Sequence, residues 1–227
     1  MYNEDTVRFG LLFGSGIKER SNISNLQPLT PNPICMSEVL EKLFRSKAEV
    51  KLLRLFMNNP NERYLISEVA KKSKVNVSTV RKEINNLVKI KFLVQRKKSG
   101  KTYYYANQDF GFYDELKKLI FKASPTSADR LVSLAMRLGQ IRFVLVSGVF
   151  LNSEKSKIDI LIVGEQINRS KLKSFLSNTE AEVGKGINYV CMSTDEYRYR
   201  KGMFDKFIVN IFENPHKILI DRMKKDI

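Results

Sequence analysis

The sequence predicts a two-domain α+β protein: a helical domain carrying a hairpin, then a small mixed α/β sheet with helices. Three observations predict it. Apolar residues recur at helical spacing up to about residue 90, two β-prone runs flank a polar turn just after, and beyond residue 125 strands and helices alternate. The 227 residues include 14 Phe and 9 Tyr, bulk enough for two cores. The divisions fall at residues 1–35, an extended or disordered lead-in, at 36–124 and at 125–227.

Each element follows from its residues. Pro28, Pro31 and Pro33 oppose regular structure in the lead-in. Gly14-Ser15-Gly16 there lacks the spacing and the Lys-Ser/Thr ending of a phosphate loop. Met36 to Asn58 reads as helix, its stripe running from Val39, Leu40, Leu43 and Phe44 to Val50, Leu52, Leu53, Leu55 and Phe56, with Asn59-Pro60 as the stop. Arg63-Tyr64-Leu65 is extended. Ser67 is the N-cap expected for a helix through Val69 and Ala70 to Lys72. After a turn at Lys74-Val75-Asn76, a second helix is predicted from Ser78 to Ile90, burying Val77, Val80, Ile84, Leu87 and Val88. Phe92-Leu93-Val94 and Tyr103-Tyr104-Tyr105 are strands, with Gln95 to Lys101 as a polar turn between them. Phe112 to Ala123 is a further helix, broken by Ser124-Pro125-Thr126.

Charge identifies a partner. Lys and Arg total 40 against 24 Asp and Glu, a formal net charge of +16, and residues 36–108 alone hold 17 basic and six acidic side chains. An excess concentrated this way suits a polyanion. Within it, the helix after the turn offers Ser78, Thr79, Arg81, Lys82, Asn85 and Asn86 opposite its apolar face. Arg can bond guanine through two donors and Asn can pair with adenine, while Ser, Thr and Lys hold phosphates. The hairpin adds Arg96, Lys97, Lys98 and Lys101. Lys71, Lys72, Lys74 and Asn76 lie just before the helix, where flanking backbone passes.

Helix, short strand, helix, turn, helix, hairpin, helix is the order of a winged helix-turn-helix. The segment LISEVAKKSKVNVSTVRKEINNLVKIKFLVQRKKSGKTYYYAN resembles the winged helices of ArsR-like transcriptional regulators, with Lys91 where that family has Gly. The resemblance implies double-stranded DNA as partner and a homodimer, since one recognition helix covers few base pairs. Leu116, Leu119, Ile120 and Phe121 are the side chains expected at the dimer contact.

The second half alternates. A helix spans Arg130 to Leu138, a strand Ile141 to Val146, then Ser147-Gly148, a polar loop and a strand Ile158 to Gly164. A helix at Ser170 to Thr179, a strand at Ile187 to Met192, a helix opened by Ser193 with Glu196, another at Asp205 to Phe212 and an extension at Lys217 to Ile220 complete it. The stretch VLVSGVFLNSEKSKIDILIVG resembles the minimal nucleotidyltransferase fold, which places Gly-Ser after its first strand and two Asp, one residue apart, at the second. Here the pair is inverted to Ser147-Gly148, Lys157 replaces the first Asp and only Asp159 remains. The resemblance therefore implies a vestigial nucleotide site at Ser147, Gly148 and Asp159. With no third carboxylate on the following strand, no catalytic residue, metal or cofactor is expected. Asp159 is expected to pair with Lys157 or to cap backbone groups, and the domain to serve dimerisation or to sense a small molecule or nucleotide.

Other residues suggest no catalyst. His216 has no Cys, Ser or acidic neighbour in sequence, and Cys191, in an apolar strand, is expected to be buried and inert. No run approaches a membrane helix, and the first residues lack a secretory leader's apolar stretch, so a cytoplasmic protein is expected. The reading is a DNA-binding transcriptional regulator. Its alternatives are an active metal-dependent nucleotidyltransferase working on a bound nucleic acid or protein, and an RNA-binding or nucleoid protein of little sequence preference.

Overall fold

The computed structural model describes residues 36–44, 46–122, 126–153 and 155–223. The expected lead-in and the Ser124-Pro125 break lie outside the described residues. Ser46 divides the helix expected from Met36 to Asn58 into α1 (Met36–Leu43) and α2 (Lys47–Asn58). Its backbone is extended, with φ −146°, and its Oγ accepts the Glu49 N–H at 3.1 Å, as an N-cap does. Leu52, Leu53, Leu55, Phe56 and Met57 of α2 are all buried, so this helix is hidden almost all round.

α3 (Ile66–Ser73) begins after Leu65, not at Ser67: the Glu68 carboxylate reaches back to the Leu65 N–H at 2.8 Å and takes the place of a Ser cap. Lys74, with φ 52°, ends α3 in the left-handed region. α4 (Val77–Lys89) is capped by Asn76, whose Oδ1 accepts the Ser78 N–H at 2.9 Å. Val80, Ile84 and Leu87 are buried, but Val77 is 46% exposed, because the first turn of α4 projects past the core. The hairpin strands β1 (Leu93–Lys98) and β2 (Lys101–Ala106) pair in register from Leu93 with Ala106 to Lys98 with Lys101. The turn is thus only Ser99-Gly100, both at positive φ, and Gln95 to Lys98 are strand. Polar side chains do not end a strand whose outer face meets solvent.

Tyr64 bridges to Tyr104, tying the chain before α3 to the hairpin. α5 (Tyr113–Lys122) follows. Its Ile120 is fully buried and Leu116 and Phe121 pack on the same core; of the four side chains expected at a dimer contact, Leu119 is the exposed one.

Beyond α6 (Ala128–Ala135) come β3 (Gln140–Ser147), a short 3-10 turn at Gly148–Phe150, β4 (Ile160–Glu165), α7 (Arg169–Val183), β5 (Tyr189–Met192), α8 (Thr194–Gly202), α9 (Lys206–Glu213) and β6 (His216–Asp221). The order β5-β4-β3-β6 is mixed: β4 and β5 run parallel through the α7 crossover, and β3 is antiparallel to β4 and to β6. Both faces are covered. Val144, Val146, Ile160 and Ile162 pack under α6 and α7, while Phe143, Leu145, Leu161 and Val163 pack under α8 and α9. Strand alternation divides one apolar run between two cores in this way.

The described residues thus form a mixed α+β protein with nine α-helices and two small sheets, in one compact unit. The seam between the helical half and the four-stranded half is polar. The Arg54, Asn58 and Asn59 side chains on α2 and just after it donate to the Glu182, Val183 and Gly184 carbonyls at the end of α7, at 3.3, 2.8 and 2.7 Å. Those carbonyls are left open by the helix itself. No described helix is long and apolar enough to cross a membrane.

Candidate nucleic-acid interface

On α4 the buried and exposed residues separate cleanly. Arg81, Lys82, Asn85 and Asn86 are exposed, Thr79 is half-buried, and neither Arg81 nor Lys82 has an ion-pair partner among the described residues. Ser78, Lys82, Asn85 and Lys89 recur at spacings of four and three, and Arg81 lies beside them. The buried Glu83 faces the other way and accepts the Ser46 hydroxyl at 2.8 Å, so the acidic residue of the helix is withdrawn from the cationic face. Asn76 and Ser78 are partly committed: Asn76 Oδ1 accepts both the N–H and the hydroxyl of Ser78, leaving the amide hydrogens of Asn76 as its free donors.

The hairpin sorts its cations by face. Directly opposed residues share a face, so Arg96, Lys98 and Lys101 lie with Tyr103 and Tyr105 on the outer side. Lys97 and Thr102 lie with the core side, whose inner end is Leu93, Tyr104 and Ala106. All four hairpin cations are exposed. Tyr104 is buried, and burial, followed by Glu62 and Glu68, pushes the neighbouring Tyr64 phenol up. Lys72 lies over the Tyr64 ring at 5.7 Å and Arg63 over the Tyr105 ring at 5.4 Å. Arg63 therefore joins the outer hairpin face, a placement that depends on the Tyr64–Tyr104 bridge and leaves no local trace in the sequence. At the foot of the hairpin Lys91 has φ 65°, and the Phe92 N–H turns back to the Leu87 carbonyl at 3.0 Å.

The structure brings Ser147, Gly148 and Asp159 together and commits them to one another. Asp159 is buried; one oxygen accepts the Val149 N–H and the other the Asn188 N–H, each at 2.8 Å. Gly148 has φ 53°, and a Cβ there would collide with the Asp159 carboxylate, so only glycine allows this approach. The Ser147 hydroxyl, fully buried, donates to the Ile158 carbonyl at 2.6 Å and meets Ser156 Oγ at 2.8 Å. Lys157 is exposed, so of the two expected roles for Asp159 the geometry realises backbone capping. Among the described residues no three His, Cys, Asp or Glu side chains gather in a metal-holding group.

Other predicted residues have structural positions. His216 Nδ1 lies 2.9 Å from the Asn214 carbonyl, with its ring edge-on to Phe212. Ser193 caps α8 through the Glu196 N–H, while the Glu196 carboxylate pairs with Arg200 at 2.8 Å. Cys191 is exposed, not buried, because β5 is an edge strand; partial burial still pushes the thiol pKa up. Glu165 at the end of β4 accepts the Thr194 N–H at 2.8 Å, which holds its carboxyl below the usual range.

No protein-family model, curated protein or solved structure matches this chain.

Proposed function

We propose that the chain is a DNA-binding transcriptional regulator that reads duplex DNA through a winged helix. The observation that carries this reading is α4: an amphipathic helix whose outer face presents Arg81 and Lys82, without ion-pair partners among the described residues, beside Asn85 and Asn86, while its acidic residue is turned inward. A major groove admits such a helix, and these side chains match its donor and acceptor edges. The element order α3, α4, β1, β2 supports an ArsR-like winged helix over residues 36–124, and the left-handed Lys91 supports the family's turn even without its Gly.

Residues 125–227 are the nucleotidyltransferase-like domain of this proposal, serving dimerisation or ligand sensing in the cytoplasm. The engagement of both Asp159 oxygens by backbone N–H groups supports a scaffold role, since the carboxylate already has a structural task in this turn. Selection of duplexes from a random pool tests the reading. A recurring motif should emerge with the wild-type chain and change or vanish with Arg81→Ala. A pool that stays random with the wild-type chain overturns it and favours an RNA-binding or sequence-blind role.

A further inference from the structure

The seam between the halves carries a second group of cations. Lys74, between α3 and the cap of α4, donates to Asn178 Oδ1 on α7 at 2.9 Å. α7 is thereby joined to the turn that positions α4. Gly184 closes the other end: its φ is 79°, and a Cβ there would stand 2.5 Å from the Leu55 N. No larger residue fits, so α7 and α2 are held at a fixed spacing.

Along this seam runs a cleft lined in part by Glu68, Lys71, Lys72, Ser177, Glu180 and Lys185. Its two carboxylates each serve a backbone donor through one oxygen, Glu68 the Leu65 N–H and Glu180 the Ile187 N–H, at 2.8 and 3.2 Å, and its three lysines outnumber them. Lys71 and Lys185 have no carboxylate partner among the described residues. On α7, Lys171, Ser174 and Asn178 recur at spacings of three and four, all exposed, so Lys171 lies on the face that meets Lys74, about 10 Å along the helix.

We propose that DNA held by α4 continues across this seam, with backbone phosphates held by Lys71, Lys74, Lys171 and Lys185. The proposal rests on the reading of α4 as the recognition helix. Cations spread over more than about 10 Å exceed what one small anion spans and suit a row of phosphates. The side chains between them, Ser174 and Ser177, are short hydroxyl donors of the kind that contact DNA backbone. Lys74 spends one of its three donors on Asn178 and keeps two for a phosphate.

The test compares two duplexes of the selected sequence, one covering the α4 footprint and one longer by about 10 base pairs, a helical turn. Affinity is measured over a salt series for the wild-type chain, for Lys171→Ala/Lys185→Ala and for Arg81→Ala, with thermal melts confirming that each variant folds. The double variant should match the wild type on the short duplex. On the long duplex its salt slope should fall by about 1.8, as for two lost phosphate contacts. Equal slopes on the long duplex, with Arg81→Ala still losing its preferred site, overturn the seam proposal and leave the recognition reading standing. Loss of inorganic phosphate binding by the double variant, with the long duplex bound normally, also overturns it and makes the seam a small-anion site. Failure of the wild-type chain to prefer any duplex removes the recognition reading itself.

Discussion

Asp159 is a residue whose chemistry is read correctly only with its partners in view. A single carboxylate at the start of an apolar strand resembles the remnant of a metal site. In the structure it accepts the Val149 and Asn188 N–H groups, one on each oxygen, and so ties the turn after β3 to the chain before β5. Asp159→Ala should therefore cost about 2 kcal/mol of unfolding free energy in a urea titration, the scale for losing hydrogen bonds to a charged acceptor. A loss below about 1 kcal/mol would show that the carboxylate is not the internal cap described here. The capping alternative was legible from the sequence, but the partners were not, because Asn188 lies 29 positions away. Cys191 shows the opposite failure. Its apolar neighbours implied burial, yet strand order decides exposure, and nothing local in the sequence says that β5 lies at the sheet edge.

At the scale of elements, the periodic helices were the most legible parts. Val80, Ile84 and Leu87 fix α4 by spacing alone, and the polar residues between them define its other face. Boundaries were less legible where caps compete: Ser46 splits a continuous apolar stripe, and Glu68 displaces Ser67 as the start of α3. The first turn of α2 also carries a liability. Burial, with Glu83 as a second cause, pushes the Glu49 carboxyl up, so the folded state holds its proton more tightly than the unfolded chain does. That contribution to stability is present below the unfolded pKa and is lost as pH rises through the folded one. Glu49→Gln should accordingly melt at a higher temperature than the wild type at neutral pH, with the gain shrinking as pH falls through the carboxylate range. A gain equal at both ends of that pH range would contradict the assignment.

For the whole molecule, the charge concentrated in residues 36–108 pointed to a polyanion before any fold was known, and the structure sets most of those cations on or beside α3, α4 and the hairpin, with Lys42, Lys47, Lys51 and Arg54 on α1 and α2. The seam was invisible in sequence. Its contacts, Asn58 to Val183 and Asn59 to Gly184 among them, join positions 125 apart and involve polar residues with no periodic signature. The central claim is that α4 reads bases while the hairpin grips backbone. Competition between a selected duplex and random duplexes, at fixed salt and then across a salt series, tests it most directly. Arg81→Ala should weaken the selected duplex by about 1–3 kcal/mol and narrow its advantage over random DNA. Lys98→Ala should weaken both duplexes about equally and lower the salt slope by about 1. Unchanged affinities for both variants would contradict the account.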